Sequence, residues 1–375
     1  MRVKSISHAL FAAGVLLAGA GRANATTYNF IDLGTLGETA YAVTAINASG
    51  QIAGSAYTAG NAAIHATVWN GTTATDLGTL GGAYSFANAI NTSGQVAGAA
   101  NTAGDAATHA TVWNGTTATD LGTLGGTHSV AYGINTSGQV AGWSHTAGNA
   151  AQHATVWNGT TATDLGTLGG RSSIANAINT SGQVAGSAYI AGDAAEHATV
   201  WNGTTATDLG TLGGTQSFAI AINASGQVVG YAGTAGNAAF HATAWNGTTA
   251  TDLGTLGGTH SFAYGINASG QIAGSAFIAG DAAAHAALWN GTTITDLNSF
   301  LDAGSVAAGW VLQAARDIND NGWIVGNAFN TYSGQTHAFL LSVAAVPEPE
   351  SHAMMLAGLG LLGAVTRRLR QQATT

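Results

Sequence analysis

Asp76–Gly82 reads "DLGTLGG", and the same seven residues recur from Asp120, Asp164, Asp208 and Asp252. A near copy, "DLGTLGE", starts at Asp32, and a degenerate one, "DLNSFLD", starts at Asp296. Neighbouring copies stand 44 residues apart. A fixed period of that size marks a repeat whose units stack into one body, so chain length is no guide to domain count. One whole unit, Ala83–Gly126, reads "AYSFANAINTSGQVAGAANTAGDAATHATVWNGTTATDLGTLGG". Four strand-like segments alternate in it with turn signals. Strand A is expected at about Ser85–Asn91, strand B at Gln95–Ala100, strand C at His109–Trp113 and strand D at Ala118–Leu124. The turns "NTSGQ" and "NGTT" place glycine after serine or asparagine, which supplies the positive φ of tight hairpins. Helical periodicity is absent outside the two termini.

Four antiparallel strands in about 40–45 residues is the size of one β-propeller blade. A–B–C triplets begin near Ala40, Ala83, Thr127, Arg171, Thr215, Thr259 and Ala307. A fourth strand follows each of the first six, but none follows "THAFLLS" in the last. An orphan fourth strand, "TYNFIDLGTL", stands before the first triplet. Seven triplets and seven fourth strands make a closed ring if the N-terminal strand completes the last blade. A ring also removes exposed sheet edges. A linear solenoid would need polar capping repeats, and none is visible. The expected fold is therefore all-β, a seven-bladed propeller in which Asp32 lies beside "THAFLL" as Asp120 lies beside "HATVW".

The unit resembles the HAF family of extracellular bacterial repeats. "DLGTLGG", "AIN" and "GQVAG" carry the likeness over Asp32–Ser342, with "HAF" itself at His337–Phe339. The other units depart at the third position and write "HATVW", "HATAW" or "HAALW". The resemblance implies export and a repeat architecture, but no activity.

Both ends read as processing signals. Residues 1–25 combine a basic start, an apolar stretch and small residues at Ala23 and Ala25, the form of a secretory signal peptide. At the other end Pro347-Glu348-Pro349 precedes thirteen mostly apolar residues, Ala353–Val365, and then Arg367, Arg368 and Arg370. A permanent helical span needs about 20 residues. The segment resembles the PEP-CTERM sorting signal of exported proteins in Gram-negative bacteria, which implies an exosortase as partner. A short helix with arginines behind it holds the chain in the membrane transiently and leaves the Pro-rich hinge open to cutting. The expected division is residues 1–25 as signal peptide, 26–342 as propeller and 343–375 as sorting segment. The mature protein then belongs to the cell envelope, the cell surface or the medium.

The body is acidic. Fifteen Asp and Glu from Asp32 to Asp320 face only Arg171 and Arg316. Nucleic acid needs cations to displace its counterions, so it is not an expected partner. No cysteine occurs, so the exported body must hold together without disulfides.

His65, His109, His153, His197, His241 and His285 stand at one register, each four residues before a Trp. Asp76, Asp120, Asp164, Asp208 and Asp252 follow their histidines by eleven residues, as Asp296 does. A residue repeated in every blade cannot build one asymmetric site, so these read as a scaffold rather than as a catalytic or metal centre. "DINDNG", Asp317–Gly322, spaces three oxygen ligands like the start of a calcium loop. The acid wanted at position twelve is Ala328, and the segment aligns with the "AINTSG" turns, so a turn is expected. No catalytic, cofactor or phosphate-binding motif is present.

Variation between units is more telling. The D–A loops carry Tyr84, His128, Ser172, Gln216 and His260 at one register, with Arg171 before Ser172. The end of strand B varies through Tyr57, Asn101, His145, Tyr189, Gly233 and Phe277, with Trp143 close by. In an up-and-down blade the D–A and B–C loops share one face of the disc. Tyr84, His128, Trp143, His145, Arg171, Gln216 and His260 are the ligand-binding candidates there, with chemistry suited to sugar rings or a surface protein. The function expected is a non-enzymatic, exported surface or matrix protein that binds exopolysaccharide or another surface protein, without a cofactor. A polysaccharide hydrolase or lyase is the alternative. It would need paired carboxylates, and the acids that break the repeat (Glu38, Glu196 and Asp302) fall in different units. A structural spacer is the third reading.

Overall fold

The computed structural model describes residues 28–34 and 40–343. It consists of seven four-stranded antiparallel sheets, each strand bonded to its neighbour in the order A–B–C–D. Blade 2 is typical: strand A is Gly81–Ile90, B is Val96–Thr102, C is Thr108–Asn114 and D is Thr117–Asp120. Blade 1 starts at Ala40, and blade 6 ends with its D strand Thr293–Asp296. Blade 7 takes strands A to C from Trp310–Ile318, Ile324–Asn330 and Gln335–Val343. Its fourth strand is Tyr28–Gly34, from the other end of the chain.

The ring closes in the expected register. Asp32 pairs with Phe339, two residues beyond His337, just as Asp120 pairs with Thr111, two beyond His109. Phe30, Trp310 and Phe339 cluster beside this junction.

Two expectations need correction. Strand A begins four residues earlier than the hydrophobic pattern suggests, and strand D ends four residues sooner, at Asp120. The "DLGTLGG" segment is the reason: it is a crossing from the outer edge of one blade to the innermost strand of the next. Leu77 N–H still bonds Ala66 O, the Asp76 carboxylate then accepts Gly78 N–H, and Leu80 pairs in parallel with Thr102. Leu77 is buried between blades 1 and 2 with Ile90, Val96 and Trp113. Gly82 has no room for a side chain, because a Cβ there would lie 2.6 Å from Thr102 O. The second correction is a five-residue helix, Ala303–Ala307, preceded by a 3-10 turn at Leu297–Phe300. Asp302 caps it by accepting Ser305 N–H. One turn is too short to leave a periodic signal. This insertion makes the step from Asn267 to Asn319 52 residues instead of 44.

The core sits between blades rather than within them. Trp69, Trp113, Trp157, Trp201, Trp245 and Trp289 are fully buried. Trp113 packs on Ala45, Ala53 and Ala66 of the preceding blade, and Trp157 repeats this against Ala97 and Ala110. Alanine and glycine on one sheet let a large indole on the next approach closely, which explains the small-residue composition. Ser85 pins the same seam, accepting Ala66 N–H and donating to Gly78 O.

Candidate binding face and central channel

Every strand A carries a bulge. In blade 2 Ala87 faces Gly98 and Ala89 faces Ala97, so Asn88 is the extra residue. The same break isolates Thr44, Tyr132, Asn176, Ile220, Tyr264 and Arg316. A bulge bends the strand and re-aims one side chain. Gly98 makes it possible, since the Phe86 carbonyl fills the space its Cβ would need. The last glycine of "GQVAG" is therefore a requirement of the bulge.

The seven bulge residues line a central cavity of about 520 Å³. Their chemistry changes from blade to blade: Thr, Asn, Tyr, Asn, Ile, Tyr, Arg. Asn88 and Asn176 donate their amide N–H to Ala131 O and Ala219 O of the next blade. The Arg316 guanidinium lies 4.9 Å from the centre of the Tyr264 ring. Towards the A–B turns comes a collar of seven isoleucines, Ile46 to Ile318. Below the collar runs a closed hydrogen-bonded ring. Asn47 donates to Asn91 O, Asn91 to Asn135 O, and so on through Asn319, which returns to Asn47 O, all at 3.0–3.3 Å.

Asp317 departs from the alanine or glycine that precedes the isoleucine elsewhere. Its carboxylate accepts Ile46 N–H and Ile318 N–H, each at 2.9 Å. Withdrawal from water pushes its pKa up to about 7, against the pull of those two donors. Asn319 Oδ1 accepts Asn321 N–H and Trp323 N–H, so Asp317–Gly322 forms the A–B turn of blade 7.

On the opposite face the D–A and B–C loops lock together within each blade. Ala83 N–H bonds Asp105 Oδ1, and Arg171 N–H bonds Asp193 Oδ1. Asn or Asp sits at the left-handed position of the B–C loop in blades 1 to 6, from Asn61 to Asp281. The backbone donors hold the Asp105 and Asp281 carboxyls below the ordinary carboxylate range. The candidate residues are distributed round this face. Three of them meet in blade 3: the Trp143 and His145 rings are 5.2 Å apart, and the His128 and His145 rings 5.8 Å. Trp143 Nε1 reaches Tyr132 Oη at 3.4 Å, linking that cluster to the channel. Tyr84 is exposed on blade 2. Arg171 on blade 4 is 74% exposed and 3.8 Å from Asp193. His260 on blade 6 accepts Phe240 N–H and stacks on Phe262. Gln216 is half-buried on blade 5. These four are not brought together with the blade 3 cluster by direct contact. The sequence pattern missed the bulge residues altogether, although their variation inside a repeated strand was a usable signal.

Each His of the repeated register places Nδ1 2.6–2.9 Å from an Asp on strand D. The seventh pair, His337 with Asp32, joins the two ends of the chain. Of the acids that break the repeat, Glu196 accepts Ser187 Oγ–H and Asp302 caps its helix. Glu38 lies outside the described residues, as do the sorting residues Pro347, Glu348, Pro349, Arg367, Arg368 and Arg370.

No curated protein matches the chain. Among solved structures it is similar to a Trypanosoma rangeli sialidase in complex with a difluoro-KDN compound, at 10% identity and a TM-score of 0.38. That match covers 80% of this chain and 53% of the sialidase chain, so this chain spans about half of that protein. A family model of the PEP-CTERM protein-sorting motif matches residues 345–371, which makes this an exported protein addressed to an exosortase.

Proposed function

We propose that this is a non-enzymatic protein of the cell surface or extracellular matrix, which binds a polysaccharide or another surface protein through the D–A/B–C face of its propeller. The observation that carries the reading is where variation falls. The His–Asp pairs, the tryptophans and the asparagine ring repeat almost unchanged, while Tyr84, His128 and His260 occupy one register next to the D–A crossing, with Arg171 one residue before it, and differ in chemistry. A frame held constant under a varied rim suits recognition, because loops on a rigid scaffold can change without cost to the core. Aromatic and hydrogen-bonding groups side by side, as at Trp143 and His145, suit sugar rings. The likeness to HAF extracellular repeats fits the same setting. Within this reading residues 1–25 are the export signal, 26–342 the binding body and 343–375 the segment the exosortase removes.

The test is a binding screen of the purified protein against acidic and neutral bacterial exopolysaccharides. It is repeated with Tyr84, His128, Arg171 and His260 all changed to alanine. Binding without turnover, lost in the quadruple variant while thermal melting is retained, supports the reading. Product formation supports the hydrolase alternative, and undiminished binding by the quadruple variant removes this face from the site.

A further inference from the structure

We propose that the central channel is a second binding site, for a single acidic sugar residue of the hexuronate class, with Arg316 holding the carboxylate. Only the choice of a saccharide rests on the function proposed above; the site itself is built from different residues. Arg316 is the one charged side chain in the layer of bulge residues. Among the described residues it forms no ion pair with a carboxylate, and its guanidinium lies over the Tyr264 ring. Asp317, its chain neighbour, also borders the cavity, but its carboxylate is engaged by Ile46 N–H and Ile318 N–H rather than by Arg316. An arginine held against an aromatic ring inside a concave, partly apolar cavity is a waiting anion site, and its planar fork fits a carboxylate.

The rest of the lining selects against a bare inorganic anion. Asn88 and Asn176 spend amide N–H on the next blade, which leaves their Oδ1 atoms as acceptors for hydroxyl groups. Tyr132 and Tyr264 add two phenol groups and two aromatic faces to the same cavity. Acceptors for hydroxyls, aromatic faces for a pyranose ring and one cation for a carboxylate together describe a sugar acid. The cavity of about 520 Å³ lies within the ordinary range of small-molecule sites. The isoleucine collar stands between this layer and the asparagine ring, and we place the ligand's entry on the D–A/B–C side. A chain end bearing a uronate can therefore thread the mouth that the loop residues surround.

The experiment is calorimetric titration of the purified protein with methyl glucuronide, with methyl glucoside and inorganic phosphate as matched controls. Saturable binding of the glucuronide is expected, about tenfold or more tighter than that of the glucoside. Arg316→Gln should weaken it by about tenfold or more, and Arg316→Lys by less, because lysine keeps the charge without the fork. Ile220→Glu, which puts an acid into the same layer without touching Arg316, should abolish binding in a protein that still melts like the wild type. The Tyr84/His128/Arg171/His260 alanine variant should bind the glucuronide normally, which separates this site from the face. Failure of the glucuronide to bind, equal affinity of the glucoside, or unchanged affinity in both Arg316→Gln and Ile220→Glu would overturn the proposal. Phosphate bound as tightly as glucuronide would overturn the sugar assignment and leave a plain anion site.

Discussion

Leu33→Ala tests whether the N-terminal strand is a full member of the ring. Leu33 follows Asp32 as Leu121 follows Asp120, and the two are 6% and 4% exposed. Leu33 packs with Val43, Ile46, Trp69, Val325 and Leu340, whereas Leu121 packs with Ala97, Ala110, Ala131, Ile134 and Trp157. Truncating a buried leucine removes its transfer free energy and leaves a cavity, at a cost of about 2–5 kcal/mol. Leu33 fills in the closing seam the place that Leu121 fills in an ordinary one. Leu33→Ala should therefore cost as much as Leu121→Ala, about 3 kcal/mol for each. Equilibrium urea unfolding followed by tryptophan fluorescence reads this directly, since six indoles are buried at blade seams. The midpoint should fall at unchanged slope in both variants. A Leu33→Ala protein within about 0.5 kcal/mol of wild type, beside a Leu121→Ala protein that loses about 3, would mean that the strand adds nothing to closure.

Asn135→Ala should cost about 2–4 kcal/mol, because it leaves Asn179 O and Gln139 N–H buried without their partner. Asn91→Ala and Asn179→Ala should match it within about 0.5 kcal/mol in the same urea assay, as the ring repeats the contact. Asp317 titrates at 3.8 when unfolded and at about 7 when folded. Its contribution to stability is therefore fully present below pH 3.8 and is lost as pH rises through about 7. Melting temperatures from pH 4.5 to 8.5 should fall more steeply with pH in the wild type than in Asp317→Asn, and parallel profiles would contradict the burial of that carboxyl.

The repeat period, the strand count and the ring closure were legible because a blade is a local object. Its hairpins are written in turn residues, and counting seven triplets against seven fourth strands needs no distance information. The pairing of Asp32 with the His337 strand followed from that count. Strand limits were less legible, because Leu77 and Leu80 look like strand residues whether they continue strand D or plug the seam to the next blade. Periodicity reports that a side chain is buried, not which sheet covers it.

The sequence by itself determined the architecture, the order of strands and the sorting tail. Only the tertiary structure decided what faces the axis. Asn88, Tyr132 and Arg316 line the channel because a bulge rotates them out of the alternation on which strand reading depends, and that bulge exists because Gly98 and its equivalents admit a carbonyl at close range. Likewise Asn91 looks like an ordinary turn residue, yet its amide bonds a carbonyl 44 residues away. Such contacts join separate blades that meet only once the sheets have packed side by side, so no local pattern can encode them.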